Sequence, residues 1–180
     1  SQDNGTSIKT ENSWIEFYGA DGMEGIIHPL NHDWMIGSFQ FGGKRRTKDG
    51  GYTQDGVGNV ENGGWIAPLF YDPNDQMKIY SLGDKVTVSE DFGSTWNDLA
   101  TPFGLTESVN YATIAENNSD NIVATRGNQI KLSVDGGITF TSIESNLPNN
   151  YITDVAFDPN NDDIIIVTYG SYNGNNNKVY

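Results

Sequence analysis

The chain has 180 residues, 24 acidic against 10 basic, no cysteine and a net charge of −14. That charge argues against nucleic acid, whose phosphates require a basic surface, and against anionic membranes. The missing cysteine excludes disulfides and thiolate metal sites, and no apolar run approaches the roughly 18 residues of a membrane span.

In chain order, residues 1–18 are expected as two outer strands, with Ile8 on one and Trp14, Ile15 and Phe17 on the next. An apolar run, a polar turn and a second apolar run then recur at residues 26–38, 69–81, 113–125 and 155–168. Each reads as a hairpin of buried strands, its turn built from Pro, Asn and Asp. A second signal runs in phase at residues 47–54, 89–96 and 133–140, with the skeleton Ser/Thr-x-Asp-x-Gly-x-Thr. Short connections holding Gly42-Gly43, Gly83-Asp84 and Gly127-Asn128 join the two signals. No window carries a sustained helical stripe. Residues 173–177 are expected as a polar turn, with Lys178-Val179-Tyr180 starting another strand.

The spacing of the three aspartates, near 43 residues, is the period of a propeller blade. Within each copy, Asp49, Asp91 or Asp135 can accept hydrogen bonds from its own turn. Gly51, Gly93 and Gly137 supply a left-handed position. Trp96 and Phe140 are placed to bury a ring between blades, whereas Gln54 ends the first copy without one. Because these residues recur in every copy, they are expected to lock turns rather than to catalyse.

The eight-residue pattern resembles the Asp-box, or BNR, repeat of sialidases, the sortilin ectodomain, xyloglucanases and photosystem II assembly factors. The resemblance covers nearly the whole chain and implies an all-β fold, a β-propeller of four-stranded antiparallel blades. The blades are expected at residues 19–62, 63–106 and 107–148. Residues 1–18 would be the outer strands of a preceding blade, and 149–180 the start of a further one. A segment of a larger propeller is favoured over a ring that closes alone. The group it is most similar to is the sortilin-like secreted propellers of bacteria that export through a type IX system.

Chemistry is sought where the repeat breaks. The segment entering the first hairpin carries Asp21 and Glu24, candidates for a paired-carboxylate site, with a solvated Gly-rich turn as the alternative. Resemblance to xyloglucanases implies an Asp ahead of a Gly-Gly pair. The matching run here is Phe39-Gln40-Phe41-Gly42-Gly43, and Gln40 cannot transfer a proton. Trp34, Phe39, Gln40 and Phe41 are instead candidates for lining a carbohydrate surface, against the alternative that the rings fill the core. Resemblance to sialidases would need three converging arginines. Arg45 and Arg46 are adjacent on a strand and point to opposite faces, leaving Arg126 without a cluster.

His28 and His32 flank a Pro-containing turn and are expected as turn residues, not metal ligands. Calcium is the one cofactor kept open, with Asp158 and Asp162 as oxygen ligands, although no run matches an EF-hand. The expected function is a non-catalytic, extracellular or cell-surface module, a rigid scaffold for a protein or glycan. Other parts of a longer chain are its further expected partners. The alternative is a segment of a glycoside hydrolase.

Overall fold

The computed structural model describes residues 3–60, 62–170 and 178–180. Strands β1 (Thr6–Lys9) and β2 (Trp14–Tyr18) form a first antiparallel pair. A four-stranded sheet follows, in the order β3 (Gly22–Ile27), β4 (Met35–Phe39), β5 (Gly43–Thr47) and β6 (Asp55–Asn59). The next runs β7 (Leu69–Asp72), β8 (Asp75–Leu82), β9 (Val86–Ser89), β10 (Asn97–Asp98). A third runs β11 (Tyr111–Ile114), β12 (Asn121–Arg126), β13 (Gln129–Val134), β14 (Thr141–Ser142). A long hairpin of β15 (Tyr151–Asp158) and β16 (Asn161–Gly170) ends the series, and Val179 bridges to Thr168 on its outer side. The expected turn at residues 173–177 lies outside the described residues.

Strand order equals chain order in every sheet, so each is a simple antiparallel meander. The hairpins β3–β4, β7–β8, β11–β12 and β15–β16 coincide with the apolar repeats; β12 is buried along its middle, whereas β15 and β16 leave one side exposed. Among the described residues, the helical content is a single 3-10 turn, Gln40–Gly42.

The core lies between sheets rather than within one. Ile26 and Ile36 of the first complete sheet pack on Leu69 and Ile79 of the second, with Phe92 and Trp96 closing the layer. Tyr80, Leu82, Val86 and Val88 then meet Ile114, Ile122 and Ala124 of the third, joined by Phe140. Val123 and Ile130 face Ile152, Val155 and Val167 of the last hairpin. Ile8, Phe17 and Tyr18 sit against Met35 and Phe39. Each fully covered aliphatic or aromatic side chain contributes about 1.5–3 kcal/mol. The two rings expected between sheets, Trp96 and Phe140, are both placed there. Gln54 is exposed, as its polarity requires.

Candidate binding face

The three repeated turns share one hydrogen-bond scheme. Ser89 Oγ donates to Asp91 Oδ1 at 2.8 Å and accepts from Gly93 N at 2.7 Å. Thr95 donates through its backbone N to Asp91 Oδ1 and through Oγ1 to Oδ2, both at 2.8 Å. Thr47, Asp49, Gly51 and Thr53 repeat it, and so do Ser133, Asp135, Gly137 and Thr139. Donors on every side stabilise the carboxylate. Asp49 is lowered to about 2, chiefly by Thr53. At Asp91 burial pushes upward, but the bonds from Thr95, Ser89 and Ser94 prevail and bring it to about 2. Asp135 is lowered by Thr139 and Ser133. Each carboxylate is thus held ionised by donors of its own turn.

The two carboxylates of the first break do not converge. Asp21 Oδ1 accepts from Asp3 N at 2.7 Å, next to β1. Glu24 Oε2 accepts from Leu69 N at 2.5 Å, in the following sheet. Glu24 lines a cavity of about 130 Å³ with Leu69, Phe70, Tyr111 and Asp154, drawn from β3, β7, β11 and β15. The first strands of four sheets therefore share one axis. Burial raises the Glu24 carboxyl, partly opposed by the Leu69 bond. Asp154 was not singled out in the sequence, because it sits inside an ordinary apolar hairpin.

Three of the four residues expected to line a carbohydrate surface are spent on packing. Trp34 lies against His28 and Phe92 with Lys48 Nζ 4.2 Å from its ring. Phe39 packs edge-on to Tyr18, and Gln40 Oε1 accepts from Asp21 N. Only Phe41 faces outward, 59% exposed. It meets Trp65, 47% exposed, with ring centroids 5.4 Å apart and planes at 85°. Ile66 extends the apolar surface.

Close backbone packing holds this pair. Phe41 N donates to Trp65 O at 3.4 Å. Phe41 is itself left-handed, φ 62° and ψ 24°, and so is Asn62, φ 46°. A left-handed position costs a non-glycine residue on the order of 1–2 kcal/mol. Gly42 and Gly63 allow the approach: a Cβ on the first would lie 2.2 Å from Val60 Cγ2, and on the second 2.6 Å from Phe41 O. Beneath the loop, Asp84 is 1% exposed and accepts from Asn62 Nδ2 at 2.7 Å and from Thr106 N at 3.2 Å. Three connections thus meet around one buried carboxylate.

The remaining candidates are accounted for locally. His28 Nδ1 accepts from Leu30 N and Asn31 N, which makes it a turn lock. Asp158 accepts from Asn160 N, and Asp162 from Asn117 Nδ2. Among the described residues, no group of three or more His, Cys, Asp or Glu side chains is placed to hold a metal. Asp158 and Asp162, the residues kept open for calcium, are each engaged in a hydrogen bond of their own. The arginines also disperse: Arg45 lies over Phe39, Arg46 bonds Phe92 O and Ser94, and Arg126 pairs with Glu107.

No family model matches the chain, and no curated protein matches it in sequence. Solved structures do. The GH74 xyloglucanase from Xanthomonas campestris aligns over 94% of this chain and 31% of its own, at 13% identity and a TM-score of 0.67. The GH74 enzyme of Niastella koreensis aligns over 86% and 30%, at 14% identity and 0.66. YCF48 bound to D1 peptide aligns over 81% and 49%, at 12% identity and 0.51. The fold is a β-propeller. The chain spans about a third of the GH74 chains and about half of YCF48. At these identities the likeness is one of architecture alone.

In this propeller, sequence reasoning found Phe41 but missed Trp65. The signal available was Asn62-Gly63-Gly64-Trp65, a Gly-Gly-Trp run outside the strands that the other repeats lack. Among the described residues, no helix is long and apolar enough to cross a membrane.

Proposed function

We propose that the chain is a non-catalytic propeller module of a secreted or cell-surface protein, built on Asp-box turns and related to the sortilin-like group. It acts as a rigid scaffold that docks a protein or glycan through the Phe41–Trp65 face. One observation carries this: the two aromatic rings of the broken repeat are held outward by strained, glycine-packed backbone. The carboxylates Asp21 and Glu24, by contrast, bond to separate segments, Asp3 before β1 and Leu69 of β7. Strain retained at an exposed aromatic pair is characteristic of recognition sites.

The alternative, a glycoside-hydrolase segment, has one observation in its favour. Glu24, raised by burial, shares the small axial cavity with Asp154, and hydrolysis needs two carboxylates across one cleft. The test is to incubate the protein with xyloglucan and measure released reducing ends. No release is expected. Release that Glu24→Gln abolishes would overturn the non-catalytic reading.

A further inference from the structure

We infer that the Phe41–Trp65 corner receives a cationic side chain, arginine foremost, presented by a basic segment of a protein partner. This rests on the binding-module reading and names its ligand chemistry. The two rings stand nearly perpendicular and open to solvent, so a cation entering the corner meets the negative face of one or both.

The molecule already uses this contact repeatedly. Lys44, Arg45, Lys48, Lys78 and Lys131 lie over Trp96, Phe39, Trp34, Tyr80 and Phe103. Arg46, Lys85 and Arg126 are paired with Asp55, Asp98 and Glu107. Among the described residues, no cation is placed over Phe41 or Trp65. The nearest in sequence, Lys44, is buried and donates to Gly42 O while facing Trp96. With 10 basic side chains against 24 acidic, and so many of the 10 engaged, the body is left strongly negative. Such a field steers basic partners toward it.

Local charge is mixed, with Lys44 buried at Gly42 O and Arg45 over Phe39, while carboxylates are tied to the same loops. Asp21 reaches Phe41's neighbour Gln40 through its backbone N, and Asp3 is bonded to Asp21. Asp84 lies below, tied to the loop through Asn62. Arginine fits better than lysine, because a flat, weakly hydrated guanidinium stacks on a ring face. Little ordering is required on binding, since the glycine-packed loop already fixes the rings.

The experiment titrates the ¹⁵N-labelled chain, at physiological salt, with acetylated hexa-arginine, with its uncharged hexa-citrulline analogue, and with a xyloglucan oligosaccharide. The Trp65 indole N–H shift and calorimetric affinity are read. Hexa-arginine is expected to shift Trp65 and hexa-citrulline to bind at least about tenfold more weakly. Phe41→Leu keeps apolar bulk but removes the π face, and should weaken hexa-arginine about fivefold, with Trp65→Ala about tenfold. Spectra of both variants confirm folding. Hexa-arginine affinity unchanged in both variants would mean bulk charge attraction and would overturn the site. Equal binding of hexa-citrulline would also overturn it. A Trp65 shift from the oligosaccharide but not from hexa-arginine removes the cation assignment and leaves the binding module standing. No shift with any of the three removes both.

Discussion

Lys44 is the sharpest test of the electrostatics inside this fold. Its side chain is 2% exposed, packed between the first two complete sheets. It donates to Gly42 O at 2.9 Å and stands 4.9 Å from the Trp96 ring. Burial lowers its pKa from 10.5 to about 8. That gap corresponds to about 3 kcal/mol of preference for the neutral amine in the folded state. Because the folded pKa lies below the unfolded one, the unfolded chain binds more protons between them, and stability must rise with pH there. Integrated from about pH 7 to 9.5, the rise is about 2 kcal/mol. The window stops below 10 because burial raises the hydroxyls of Tyr18 and Tyr80, and ionising them in the unfolded chain reverses the trend. Lys44→Met keeps the stem volume and removes the charge. The variant should gain about 1 kcal/mol at pH 7, after losing the Gly42 bond and the ring contact. Its stability should be flat across the same window. Urea unfolding of both proteins at pH 7, 8.5 and 9.5 reads this directly. Parallel pH profiles for wild type and variant would refute the reasoning.

The other predictions concern the turns, the axis and the exposed loop. Asp91→Ala should cost about 2 kcal/mol in urea unfolding, since it leaves the Gly93–Thr95 turn without its acceptor. The folded pKa of Asp91, lowered from 3.8 to about 2, sets the acid behaviour: its stabilisation is complete above about pH 4 and is lost as pH falls toward 2. An acid titration of Asp91→Ala should therefore show a shallower loss than wild type. Glu24 has the opposite sign, because a carboxyl raised by burial costs stability once it ionises. Glu24→Gln, which can still accept from Leu69 N, should match or exceed wild-type stability at pH 7, and a drop above about 1 kcal/mol would contradict it. Phe41→Gly removes a large ring but also a left-handed strain. Its melting point should shift by no more than the equivalent of about 1 kcal/mol, while the Trp65 indole loses its ring-current neighbour in the NMR spectrum.

Sequence alone determined what is periodic. The three turns could be read residue by residue, because their bonds run between positions two to four apart and need no partner from elsewhere. The apolar hairpins were legible for the same reason, since strand burial writes its own hydrophobic run. What breaks the period needed the tertiary structure. The spacing of Asp21 and Glu24 suggests a pair, yet bonds to Asp3 and to Leu69, 18 and 45 residues away, pull them apart. The run from Trp34 to Phe41 reads as one aromatic surface. Packing consumes Trp34 and Phe39 and turns Phe41 outward to meet a tryptophan 24 positions on. Asp84 looks like an ordinary turn residue until loops from both sides close over it. Local hydrogen bonding and side-chain period are encoded within a few residues. Which side chain remains exposed depends on which loops of separate blades come to lie together, and that is decided only when the sheets pack.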